Sequence, residues 1–405
     1  MPQRFCSQAI LPSMSASRAE RFPLGAGVSI ADLEGDPHAL LAELRASEPV
    51  SWLPAIGGWL ITGRELALAA MRDASAFTVQ DPRFTTARVV GESMLSLDGA
   101  EHARHRAPFV APLRLGEVRH RLGEAVAEEA VRLVDELAPA AEAELRRGFA
   151  GPLAAAAVTR ALGLERAGTG AVLGWYDAIV AAVTDLSAGR PAGPDAQAAV
   201  AELGEAVGPA LGGDSMLGAA GLSPAEATSN AAVLLFGGIE TMEGMIGNAL
   251  VFLLGDPASL ELVRADPSRL PDVVEESLRL EPAAALVDRY ATTDVKLAGA
   301  PIARGDLVRV SIAGANRDPA VFADPDHFDV KRTNAHRHVT FALGPHACIA
   351  MHLARLEAHT AVERLLSRLP GLRLDPANPT VPRGLVFRKP PEVWVLWARE
   401  APVHG

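Results

Sequence analysis

Three histidines and a cysteine fall between residues 336 and 348, in His336-Arg337-His338-Val339-Thr340-Phe341-Ala342-Leu343-Gly344-Pro345-His346-Ala347-Cys348. His352 follows four residues later. Imidazoles and a thiol this close together suit a metal, or a buried thiol that merely neighbours surface histidines. Structural zinc usually takes cysteines in closely spaced pairs, and Cys348 has no such partner. A haem iron needs only one axial ligand from the protein and keeps its opposite face open. Gly344 and Pro345 put Cys348 in a loop at the start of a predicted helix, where backbone N–H groups favour a thiolate. On residue types alone, a structural thiol, a zinc ligand and a haem thiolate all remain open.

A second constellation is Gly237-Gly238-Ile239-Glu240-Thr241, inside a long apolar stretch. Each glycine in a helix interior costs ~1 kcal/mol relative to alanine. Such a pair permits either close helix packing or a local widening where water or a ligand inserts. The acid and alcohol that follow are able to hold water and relay protons. His102 and Arg106 stand four apart, on one helix face, which suits an exposed surface or a carboxylate-binding edge. Glu276-Ser277-Leu278-Arg279 carries an i,i+3 ion pair, an arrangement found on many helices.

Phe341-x-x-Gly344-x-His346-x-Cys348 resembles the haem-binding loop of the cytochrome P450 family. That family usually has glycine directly after the phenylalanine and two residues after the cysteine; this chain has Ala342 and Ala350. The resemblance runs in order over roughly residues 30–400. It implies haem b with Cys348 as the axial iron ligand, and Phe341 beside the haem. It implies propionate binding by His102, Arg106, Arg289 and His346. Gly237 and Gly238 would open an oxygen groove, with Thr241 and Glu240 delivering protons. Glu276 and Arg279 would lock structurally to Arg332, ahead of the haem loop.

The activity implied is a monooxygenase that inserts one oxygen atom of O2 into an apolar small molecule, by C–H hydroxylation of a terpenoid- or polyketide-like natural product. The alternatives are a peroxide-driven peroxygenase and a non-catalytic haem sensor or carrier. No flavin or iron–sulfur domain fits beside the haem domain in 405 residues. Electrons from NAD(P)H are therefore expected through a separate ferredoxin and ferredoxin reductase. A basic face of Arg337, His338, Arg355, Arg114, Arg119 and Arg121 would steer an acidic partner. Analogy lines the substrate pocket from four places: Phe84, Val89, Val90, Met94 and Leu95; Trp175, Ile179 and Val183; Ala284–Val287; and Val386.

The elements that must position these groups read as mainly α with a minor β portion, a cytochrome P450-like fold with a long central helix. Ser223-Pro224-Ala225-Glu226 has capping-box spacing with proline at the first helical position. No proline interrupts before Pro257, so the helix is expected to run ~30 residues, far above the ~11-residue mean, and to cross the middle of the domain. Short helices are expected after Pro257 and over Pro271–Glu281, and a long one over Cys348–Leu369. Strands are expected at Val50–Leu53, Trp59–Thr62 and within 289–314, a hairpin over Leu385–Trp397, and a break between helices at Gly189–Pro194. Residues 78–97 read as a long functional loop. Residues 1–25 read as an irregular extension and 26–405 as one domain.

Hydrophobic residues make up 49 % and charged residues 21 %, which excludes a disordered chain. The net charge of −11 argues against nucleic acid, whose phosphates need a basic surface. Only three of 38 basic residues are lysine: Lys296, Lys331 and Lys389. Two cysteines, Cys6 and Cys348, exclude a disulfide scaffold. No apolar run reaches the ~18 residues of a membrane span, and Met1–Ala16 makes a poor signal peptide. A cytoplasmic monomer is expected.

Overall fold

Ser223 begins the element on which the rest is built. Its hydroxyl accepts the N–H of Glu226, whose carboxylate accepts the N–H of Ser223 in return. From Pro224 the helix runs unbroken to Gly255, 32 residues, as the proline spacing predicts. Helices Gly151–Leu162, Asp195–Ala210, Leu270–Leu280 and Met351–Arg368 all pack on it. Burial on nearly every side explains why its sequence shows no polar stripe. The computed structural model describes residues 12–187, 190–213 and 215–399. Cys6, and Met1–Ala16 as far as residue 11, lie outside them.

The minor β portion centres on a five-stranded sheet in the order Val50–Leu53, Gly58–Ile61, Leu307–Ser311, Leu286–Ala291, Phe77–Thr78. Only the pairing of Gly58–Ile61 with Leu307–Ser311 is parallel, with Trp59 opposite Val308. Trp52, Trp59, Met71, Phe77 and Val310 form a second core beneath this sheet. Among the described residues, no single helix is long and apolar enough to cross a membrane.

Four expectations need correction. The segment read as irregular is helical over Pro12–Arg21 and Pro23–Ala26. Tertiary contacts explain this: Arg18 pairs with Asp306 at 2.8 Å and lies 4.5 Å from the centre of the Trp52 ring. The 78–97 loop contains a helix, Thr85–Val90. The helix after Cys348 begins at Met351, so the thiol lies ahead of the first turn. The tail forms no long hairpin. Trp394–Leu396 pairs with Glu142–Glu144 and Arg373–Leu374, and only an isolated bridge joins Arg383 to Lys389.

Candidate functional site

The Cys348 loop is closed by its own backbone. The N–H of Cys348 donates to the carbonyl of Phe341 at 2.7 Å. Gly344 has φ +77°, and a Cβ there would stand 2.4 Å from the carbonyl oxygen of Met71, so glycine is required. The ring of Phe341 carries the Arg355 guanidinium 4.5 Å from its centre. The Cys348 side chain is exposed, yet burial raises its thiol above the usual range despite the Ala350 N–H and the nearby Arg106 and Arg355. Both hold if the sulfur faces an internal hollow. Among the described residues, no three His, Cys, Asp or Glu side chains converge as a metal cage, so the zinc reading gains no support.

Ala342 occupies the left-handed region at φ 53°, which explains why the resembling loops favour glycine here. That conformation costs an L-residue ~1–2 kcal/mol, whereas a fully buried methyl returns ~0.8 kcal/mol. Ala342 is only partly buried. Ala342→Gly is therefore expected to stabilise the protein by about 1 kcal/mol, measured as a higher urea midpoint. A lower midpoint would show that the packing of the methyl outweighs the strain.

Above the loop, the helix Gly99–Val110 and the strand Leu286–Ala291 bring four cationic or imidazole side chains together. The rings of His102 and His346 lie 4.4 Å apart. His346 Nε2 pairs with Asp98 at 2.8 Å. Burial works to raise the Asp98 carboxyl, but bonds from His346, Thr78 and the Val79 N–H hold it at about 2. Burial, with His346 and Arg106 nearby, lowers His102 to about 4. Its ring is neutral at pH 7, and its buried Nε2 has no partner among the described residues. Arg289 is 5 % exposed, and the one hydrogen bond of its guanidinium among the described residues is to the Asp288 carbonyl. A buried guanidinium so poorly bonded needs an anion. Arg106 differs from expectation in detail: one terminal nitrogen donates to the Ala347 carbonyl at 2.6 Å, beside Cys348. An open thiol below orphaned carboxylate-binding donors fits haem.

On the central helix, Thr241 Oγ1 donates to the Gly237 carbonyl at 2.6 Å. A Cβ on Gly237 would meet nothing within 4 Å, and one on Gly238 would make only ordinary contact with Val158 at 3.7 Å. Packing therefore does not demand either glycine; Gly237 borders open space. Glu240 is buried, accepts from the Tyr176 hydroxyl, and pairs with Lys389 at 2.8 Å. Sequence reasoning missed Tyr176, Glu243 and Lys389. The scarcity of lysine was the available signal for the last. It also missed the edge-to-face pair Phe236–Phe387, centroids 5.4 Å apart, next to Gly237.

Glu276, Arg279 and Arg332 meet as expected. Glu276 Oε1 takes Arg279 at 2.7 Å and Arg332 at 2.9 Å. The basic face needs correction: His338 and Arg355 both bind Glu275, which offsets the Arg355 charge, whereas Arg114, Arg119 and Arg337 are exposed. Two pocket choices also fail. Trp175 Nε1 donates to Glu202 of a neighbouring helix, and Leu286 packs in the N-terminal core with Val28 and Leu44.

The profile of the family described as Cytochrome P450 matches residues 213–392. A 20-oxo-5-O-mycaminosyltylactone 23-monooxygenase of Streptomyces fradiae is 33 % identical over 361 residues, covering 83 % of each chain. A 6-deoxyerythronolide B hydroxylase of Saccharopolyspora erythraea is 30 % identical over 85 % of this chain and 93 % of its own. The crystal structure of CalO2 superposes with a TM-score of 0.83 at 28 % identity, covering 92 % of this chain and 98 % of the other.

Proposed function

Because the chain belongs to the cytochrome P450 family, and is thereby a haem-thiolate monooxygenase, we propose that Glu240 and Thr241 form its proton path. In this reading Cys348 would ligate the haem iron. His102, Arg106, Arg289 and His346 would hold the propionates, with Phe341 beside the haem. Bound haem supplies the site where O2 is reduced and one oxygen atom passes to the substrate. The chain supplies protons and excludes bulk water. The Thr241 hydroxyl, anchored on the Gly237 carbonyl, presents its oxygen at the open space beside that glycine. Glu240, the next residue down, is able to pass a proton to it.

The observation that carries this reading is the pair itself: both members are fixed beside a glycine that packing does not require. Thr241→Ala should keep haem and substrate-induced spectral change, but divert reduced nicotinamide into peroxide. Glu240→Gln should slow turnover, since an amide does not exchange a proton at neutral pH. Product formed per nicotinamide consumed, with peroxide assayed in parallel, is the measurement. Unchanged coupling in Thr241→Ala removes it from the path and favours a peroxide-driven reaction.

The substrate proposed is an apolar macrolide- or terpenoid-like natural product hydroxylated at a C–H bond. The activities for which the Streptomyces and Saccharopolyspora relatives are named support this. A spin-shift screen over such compounds tests it. We further propose that residues 26–405 act as one catalytic unit, a cytoplasmic monomer. Its electrons would come from NAD(P)H through a ferredoxin and its reductase, docking near exposed Arg114, Arg119 and Leu115.

A further inference from the structure

Behind Glu240 lies a buried charge cluster that the oxygen chemistry above does not use. Lys389 Nζ is 2.8 Å from Glu240 Oε2, 2.8 Å from Glu243 Oε2 and 3.3 Å from the Tyr176 hydroxyl. An ammonium has three N–H donors: two go to Glu243 and the Tyr176 hydroxyl, and Glu240 is held as an ion pair. Glu243, fully buried, has two further cations: Arg146 at 2.9 Å and Arg147 at 3.2 Å. Arg147 is 45 % exposed and also binds Asp177, so the Glu243 side of the cluster reaches solvent. Among the described residues, Glu240 pairs with no cation other than Lys389. Tyr176, whose phenol is pushed up by burial and by both carboxylates, remains a donor throughout.

Lys389 is held in place on both sides. A Cβ on Gly244 would stand 2.7 Å from Ala283 Cβ and 3.3 Å from Lys389 Cβ, and one on Gly247 would stand 3.0 Å from Pro390 Cγ. Those two glycines let the segment 388–390 close onto the central helix. Asn248 then donates to the Arg388 carbonyl at 3.2 Å. The Arg388 N–H donates to Ala283 at 2.8 Å, and its guanidinium binds Glu281 at 2.6 Å.

We propose that Lys389 is a positioning residue of the proton path, the single counter-charge that keeps Glu240 ionised and therefore able to accept a proton. Protons enter from the Glu243–Arg147 edge, one is taken up by Glu240, and one leaves it toward Thr241, with no net change in charge. The inference rests on the Glu240–Thr241 reading. Without Lys389, Glu243 keeps both arginines, whereas Glu240 keeps only the Tyr176 hydroxyl. A buried carboxylate in that state takes up a proton.

The test uses the haem-loaded, substrate-bound enzyme. In Lys389→Met, the infrared spectrum at neutral pH should gain a carboxylic-acid carbonyl band. Burial pushes the Glu357 carboxyl well up, so the parent already carries one such band; the added band is therefore read as a difference from the parent, and it should vanish in Lys389→Met/Glu240→Gln. Product formation should fall about 100-fold, the low end for a positioned acid–base group, with substrate-induced spectral change retained. Lys389→Arg should recover most of the loss. No new band in Lys389→Met overturns the inference, even if Glu240→Gln is slow. If Glu240→Gln retains full turnover, the relay fails, while the band still decides whether Lys389 holds Glu240 ionised. If Lys389→Met does not fold, recovery of the folded protein by adding Glu240→Gln supports the assignment. Recovery by adding Glu243→Gln instead overturns it.

Discussion

Cys348→Ala is expected to lose the long-wavelength absorption of the reduced carbon monoxide complex that marks thiolate ligation, and to purify with little haem. Burial raises this thiol even though Arg106, Arg355 and the Ala350 N–H favour its ionised form. Left to itself the group is a neutral thiol. A coordinating metal deprotonates a thiol outright, and Cys348 is an exposed residue in a loop locked by the Cys348–Phe341 hydrogen bond and by Gly344 against Met71. Because that lock uses only backbone atoms, the alanine variant should fold. Its apoprotein should unfold at a urea concentration close to that of parental apoprotein. Cys348→Ser keeps the shape and should likewise lose the band. An unchanged spectrum in either variant would sink the assignment.

How far the sequence carried differs from group to group, for physical reasons. The capping box at Ser223 and the proline spacing are local signals, and both ends of the central helix follow from them. Cys348, Phe341 and Gly344 sit in one loop, so a single motif shows them together. Glu276 and Arg332 lie 56 residues apart, and only the order of motifs along the chain linked them. Lys389, Tyr176 and Glu243 come from three distant segments, with Lys389 closing onto the central helix over the glycines at 244 and 247, and no short-range pattern encodes that meeting. For the same reason His338 and Arg355 looked like surface cations. Their partner, Glu275, is 63 and 80 residues away. The helix Pro12–Arg21 was illegible because its support, Arg18 on Asp306, spans 288 residues.

Glu276→Ala is expected to cost ~3–5 kcal/mol, the range for breaking a buried pair from one side, and to yield little folded, haem-loaded protein. Arg279 is fully buried, and each of its five N–H groups has an acceptor. Two go to Glu276, and three go to the carbonyls of Asn316, Pro325 and His327. Removing the carboxylate strands a buried guanidinium with two unpaired donors. It also frees Arg332, whose remaining bonds go to the carbonyls of Ala323, Asp324 and His327. The damage should travel to the haem loop by a short path. Asn316 accepts the Val339 N–H at 2.7 Å and donates to Thr340 at 2.9 Å. Thr340 in turn donates to the Leu278 carbonyl, inside the Glu276–Arg279 helix, at 2.7 Å. Arg332→Ala should be milder, since it leaves the Glu276–Arg279 pair intact. Urea midpoints of the apoproteins separate this effect from that of Cys348. Glu276→Ala should be strongly destabilised without haem, whereas Cys348→Ala should not. A Glu276→Ala protein that purifies red with a parental midpoint would show that the pair contributes nothing to holding the haem loop.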